Sequence, residues 1–160
     1  MTLEEFRLEV KKLKNSGKYP SRRSYLLPAL WIAEKNFPQI NSEMMKIIAE
    51  ELEIPLVEVE EVARFYAMFH TEERKGDFVI RVCTNLSCML NGGEEILKEF
   101  CRLLGISPGE TTPDGMFTVE SYECMGLCDG APAVTVNEER FSKVKVEDVP
   151  KILKKFGWKG

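Results

Sequence analysis

Residues 77–83, Asp77-Phe78-Val79-Ile80-Arg81-Val82-Cys83, mark the point at which the chain changes period. The stretch is short, β-branched and almost wholly apolar, so it reads as a largely buried strand that delivers Cys83 at its end. Downstream, Gly92-Gly93 opens a helix with Ile96, Leu97, Phe100, Cys101 and Leu104 on one face. Pro113-Asp114-Gly115 is a turn, and the strand that follows it, Phe117 to Tyr122, delivers Cys124 in the same manner. Ala133 to Val136 and Arg140 to Val144 are expected to form a hairpin around Asn137-Glu138-Glu139, and a closing helix uses Val149, Ile152, Leu153 and Phe156. The order β-α-β-β-β-α predicts an α/β fold, a thioredoxin-like domain with a mixed sheet, whose two cysteine loops lie near each other at one end.

Upstream of this point the period is helical. Leu3, Phe6, Val10 and Leu13 recur at helical spacing until Gly17 and Pro20. Leu27, Leu30 and Trp31 mark one side of a second helix that closes at Pro38. Asn41 or Ser42 caps a third, in which Met44, Ile47, Ile48 and Leu52 face inward. A fourth, with Pro55 in its first turn, carries Val59, Val62, Tyr66 and Phe69. The expected organisation is an N-terminal helical bundle over residues 1–76, then the thioredoxin-like domain over residues 77–160, with Gly76 at the seam.

The chain has 160 residues, 44% of them hydrophobic, enough for a buried core. Its 26 acidic and 22 basic residues leave a net charge of -4 without a basic stripe, which argues against nucleic-acid binding. The opening MTLEEFRLEV lacks the pattern of a secretion signal or a presequence, and no apolar run of membrane-spanning length follows. A cytoplasmic protein without direct membrane insertion is the expectation. In such a reducing compartment, cysteines point to metal or redox chemistry rather than to structural disulfides.

Four of the five cysteines form two loop pairs, Cys83-x4-Cys88 and Cys124-x3-Cys128. Structural zinc sites and thioredoxin-type dithiols usually take Cys-x2-Cys, which neither pair has. A single histidine, His70, supplies neither a Rieske centre nor a Cys2His2 zinc site. All-thiolate ligation remains, with an iron–sulfur centre favoured over zinc and over unligated thiols. Between Cys83 and Cys128 only Lys98 and Arg102 stand against seven acidic residues, so a negatively charged cluster needs backbone N–H groups near its sulfurs; Gly92, Gly93, Gly126 and Gly130 permit that approach. Cys101 lies on an apolar helix face and reads as a small hydrophobe; His70 reads as a surface or capping residue. Packing accounts for the methionines, including Met89, Met116 and Met125 near the cysteine loops. No dinucleotide or phosphate-cradling fingerprint is present, and no nucleophile–base set, so any substrate is expected on a partner.

The segment LGISPGETTPDGMFTVESYECMGLCDGAP (residues 104–132), with VCTNLSCMLNGG upstream, resembles the thioredoxin-like [2Fe-2S] subunit of bacterial respiratory complex I, the counterpart of its 24 kDa subunit. YPSRRSYLLPAL and VEEVARFYAMF extend the resemblance into the helical half. It implies that Cys83, Cys88, Cys124 and Cys128 ligate one [2Fe-2S] cluster that exchanges an electron with the FMN of a partner subunit. NADH and FMN are then expected on that flavin-bearing, NADH-oxidising subunit only. The chain would serve NADH:quinone oxidoreductase as an electron-transfer subunit, docked through its helical half beside other peripheral-arm subunits of an inner-membrane complex. Related modules occur in NAD-linked hydrogenases and formate dehydrogenases. Glu34 and Pro38, where glutamine and glycine are expected, and Arg74-Lys75-Gly76 depart from the family pattern outside the cysteine loops.

Overall fold

A computed structural model describes all residues, Met1–Gly160. The chain divides into two units, Met1–Arg74 and Lys75–Gly160.

The first unit is helical. α1 (Leu3–Asn15) begins at a capping box in which the Thr2 side chain accepts from Glu5 N and the Glu5 side chain accepts from Thr2 N. A short 3-10 turn at Arg23–Tyr25 leads into α2 (Leu26–Asn36). α3 (Ser42–Leu52) is capped by Asn41, whose Oδ1 accepts from Glu43 N and Met44 N at 3.1 and 3.0 Å. It stops where Glu53 turns left-handed at φ 55°. α4 (Leu56–Phe65) follows Pro55. Phe6 and Val10, Leu30 and Ala33, Ile48 and Leu52, and Val59 and Ala63 fill the core, two from each helix.

Three details differ from the sequence reading. Pro55 occupies the cap position, one residue before the first turn. α4 ends at Phe65, so Tyr66 is exposed and Phe69 enters the core from the turn beyond the helix. Ala29 and Ala33 lie on the buried face of α2, whereas Trp31 stays 37% exposed with its ring edge-on to Phe69 at 5.6 Å.

The second unit holds a four-stranded sheet in the order β2-β1-β3-β4. β1 (Phe78–Cys83) runs parallel to β2 (Phe117–Tyr122), in a register that pairs Phe78 with Phe117 and Cys83 with Tyr122. β3 (Val134–Val136) is antiparallel to β1 on its other side, and β4 (Glu139–Phe141) completes the edge. The apolar character of β1 follows from this central position. The parallel pair requires a crossover, supplied by the short α5 (Leu86–Leu90) and by α6 (Gly93–Leu104). Ile96 and Phe100 of α6 pack with Val82, Phe117, Val119 and Val136 of the sheet and with Val149, Ile152 and Leu153 of α7 (Val149–Lys155).

This mixed sheet with its helices is the expected fold class. The hairpin turns more tightly and ends sooner than its sequence indicates. Asn137 turns left-handed at φ 52° and ties itself to β1: its Oδ1 accepts from Val79 N at 2.8 Å and its Nδ2 donates to Asp77 O at 3.0 Å. Beyond Phe141 the chain leaves the sheet, and Lys143 N and Val144 N donate to Gly130 O and Pro132 O instead. The helix α5 is new.

Candidate metal centre

The parallel pairing of β1 and β2 brings both cysteine loops to the same end of the sheet. Cys83 is the last residue of β1; its N donates to Ala133 O at 3.1 Å, and Thr84 N donates to Tyr122 O at 3.0 Å, so both neighbouring ladders continue past it. Cys124 lies two residues beyond the end of β2. Cys88 lies inside α5, which starts at Asn85 and is followed at once by α6. Cys128 opens a 3-10 turn, Cys128–Gly130, ahead of the cis Ala131–Pro132 bond.

The four thiols come together in this arrangement. The Sγ atoms of Cys124 and Cys128 are 3.6 Å apart. Burial pushes the Cys88 thiol up, and Cys83 and Cys128 add to that shift; the Ala133 N–H, pointing at the Cys88 sulfur, acts the other way. The Cys128 thiol is raised chiefly by its hydrogen bond with Cys124, with Cys83 adding to the shift and a hydrogen bond with the Ser87 side chain opposing it. Each pair is therefore within electrostatic reach of the other.

Burial divides the set. Cys83 and Cys88 are 3% and 2% exposed and pack with Ala133 against Met125, Leu127 and Ala131, whereas Cys124 and Cys128 are exposed. Met125 is held from behind by Thr135, whose Oγ1 lies 3.6 Å from its sulfur.

Glycine controls how closely the backbone can close around the sulfurs. A Cβ added to Gly93 would lie 2.6 Å from Cys83 O and 2.9 Å from Cys88 O, so only glycine lets α6 start directly on the first cysteine loop. Gly126 turns left-handed at φ 71° between Cys124 and Cys128.

The local charge is better compensated than the sequence count suggests. Glu120 meets Arg81 across the β1–β2 pair at 2.8 Å, and the Arg81 guanidinium lies 4.9 Å from the centre of the Tyr122 ring. Glu99 takes both arms of Arg102 at 2.7 Å.

Donor chemistry fits a two-iron cluster. Four sulfurs, two by two, with a backbone N–H and a hydroxyl directed at them and an apolar wall on the inner side, match what thiolate-held iron requires. Cys101 stands apart on α6, half-buried, its thiol pushed up by burial and by Glu110. His70 belongs to the first unit and is neither a surface residue nor a cap: its side chain is 11% exposed, and Nδ1 lies 2.8 Å from Oε1 of the buried Glu34. Glu34 Oε2 also accepts from His70 N at 3.0 Å, so a carboxylate takes both bonds.

Sequence reasoning missed Ser87 and Ala133. The bond from Ala133 is made by its main chain, which no residue type signals; Ser87 could have been found only from the helical placement of the loop between Cys83 and Cys88.

The chain is similar to known proteins over most of its length. A subunit of NADH-quinone oxidoreductase from Rhizobium meliloti is 39% identical over 141 residues, covering 88% of this chain and 83% of the relative. Its namesake in Aquifex aeolicus is 36% identical over 145 residues, 89% of this chain and 90% of the relative. Among solved structures, an NAD+-reducing [NiFe]-hydrogenase in the air-oxidised state aligns with a TM-score of 0.72 at 22% identity, over 82% of this chain and 22% of that one, a likeness of fold. A family match runs from residue 13 to residue 157. With its two thiol pairs at the end of a mixed sheet, the chain belongs to the thioredoxin-like [2Fe-2S] ferredoxin family.

Proposed function

We propose that Cys83, Cys88, Cys124 and Cys128 hold the one [2Fe-2S] cluster of this electron-transfer protein, and that it exchanges electrons with the FMN of a partner NADH-oxidising subunit. When bound, the cluster supplies a site that takes up and returns a single electron. The observation that carries the reading is the meeting of two thiol pairs at the ends of adjacent parallel strands.

The remaining work falls to the protein. Met125, Leu127, Ala131 and Ala133 exclude water from the inner side, where Cys83 and Cys88 are buried. The Ala133 N–H and the Ser87 side chain lower the cost of thiolate charge at Cys88 and Cys128. The more open side lies at Cys124 and Cys128.

NADH-quinone oxidoreductase and the NAD+-reducing hydrogenase share nicotinamide redox chemistry, which supports a place beside a nicotinamide-oxidising flavin subunit. The relatives named as NADH-quinone oxidoreductase subunits align over most of their own length, which favours that assembly. No helix of the chain is long and apolar enough to cross a membrane. By likeness to those relatives, the reading places it on the cytoplasmic, peripheral arm of an inner-membrane complex, with the helical unit as part of its docking surface.

The test is low-temperature EPR of anaerobically purified protein after dithionite reduction. A rhombic spin-half signal is expected, lost or altered by Cys124→Ser. Stoichiometric zinc without iron, or an unchanged spectrum in that variant, would overturn the assignment.

A further inference from the structure

α5 carries an apolar stripe on the wrong side for a packed helix. Leu86, Met89 and Leu90 fall at helical spacing i, i+3 and i+4, yet they are 63%, 42% and 73% exposed, while Cys88 between them is buried. The same helix adjoins the open edge of the thiol set, because Ser87 hydrogen-bonds with Cys128. Its surroundings are acidic. Glu123 accepts from Asn85 Nδ2 at 3.1 Å, and exposed Glu94 and Glu95 occupy the first turn of α6, which begins directly against the Cys88 carbonyl. Lys98 lies 3.9 Å from Glu94.

We infer that Leu86, Met89 and Leu90, rimmed by Glu94, Glu95 and Glu123, form the docking face for a partner protein that presents an apolar depression edged with lysine and arginine. This rests on the electron-transfer reading and adds to it which edge of the second unit the partner covers. Charge selects the occupant. A second copy of this chain would set one acidic rim against another, whereas a basic rim is attracted and steered. A partner seated on α5 also covers Cys124 and Cys128, so the exposed side of the site becomes the contact side.

The experiment titrates the cluster-loaded chain with the purified NADH-oxidising flavin subunit of its own assembly and follows binding by calorimetry at low and moderate salt. Each sample is also examined by EPR and by light scattering. Leu86→Ser with Leu90→Ser is expected to weaken binding about 30-fold, as for loss of two apolar anchors. Glu94→Lys with Glu95→Lys, on the neighbouring turn, is expected to weaken it roughly threefold or more at low salt and less at moderate salt, with the EPR signal unchanged. Should the serine variant lose its cluster, the lysine variant decides alone.

Unweakened binding by both variants, with the wild-type signal intact, overturns this face and leaves the electron-transfer reading standing. Wild-type dimers that become monomers in the serine variant make the occupant a second copy and overturn the partner. An EPR-silent wild type that still loses affinity through these substitutions overturns the electron-transfer reading and keeps the face.

Discussion

Two glycines in the cysteine loops are needed for different reasons, and substitution separates them. Gly93→Ala drives a methyl into two carbonyl oxygens and must lift the first turn of α6; a loss of about 1–3 kcal/mol and reduced cluster content are expected, read by urea unfolding and iron analysis. Gly126→Ala meets no atom within 4 Å, so only the left-handed backbone resists it, and a loss of about 1 kcal/mol with an intact spectrum is expected. Cys101→Ala trims a half-buried thiol remote from the other four; the spectrum stays as it is and stability changes by about 1 kcal/mol. At this scale the grouping of Cys83, Cys88, Cys124 and Cys128 was legible, because two strands of like pattern each deliver a cysteine pair to one end of the sheet. Ala133 and Ser87 were not, since one acts through its main chain and the other through its place on a helix too short to be read from its spacing.

Between elements, the Glu34–His70 contact joins α2 to the turn that follows α4, where Ile40 N also donates to His70 O at 2.7 Å. Glu34→Ala strips the acceptor from a half-buried main-chain N–H and is expected to cost about 1–3 kcal/mol in thermal or urea unfolding. Glu34→Gln keeps one oxygen acceptor and should cost less; an equal loss would mean that charge, not hydrogen bonding, holds the turn. β1 could be read from sequence because a central strand is largely apolar, β2 because the turn Pro113-Asp114-Gly115 announces it, and the larger helices because their buried faces repeat. α5 is only 5 residues long, started by Asn85 and buried only at Cys88, so its one apolar turn, Leu86 with Met89 and Leu90, is too short to set it apart from a loop. Tyr66 and Phe69 kept a helical spacing that the backbone abandons after Phe65, since aromatic burial alone does not reveal whether a helix or a turn delivers the ring.

For the whole molecule, cluster removal exposes a pH dependence that loading hides. Burial holds the Cys88 thiol above its ordinary 9.0, so in chelator-stripped protein the folded chain keeps a proton that the unfolded chain releases as pH passes that value. Stability from this group is complete below about pH 9 and falls as pH rises through the raised value. Urea midpoints of stripped protein at pH 7.5, 9 and 10 should fall more steeply than those of stripped Cys88→Ser, and equal slopes would contradict the assignment. In loaded protein the thiols are already deprotonated, so acid, not base, favours metal release. The parallel register of β1 with β2 has a last consequence. Because Cys83 pairs with Tyr122, two residues before Cys124, the strand ends from which the two loops leave are held one ladder pitch apart, about 4.8 Å, whatever the length of chain between them. The connection is then an editable strap: residues inserted between Pro108 and Gly109, both exposed, should leave the metal centre spectroscopically unaltered, and so should a backbone break there if the two fragments are expressed together.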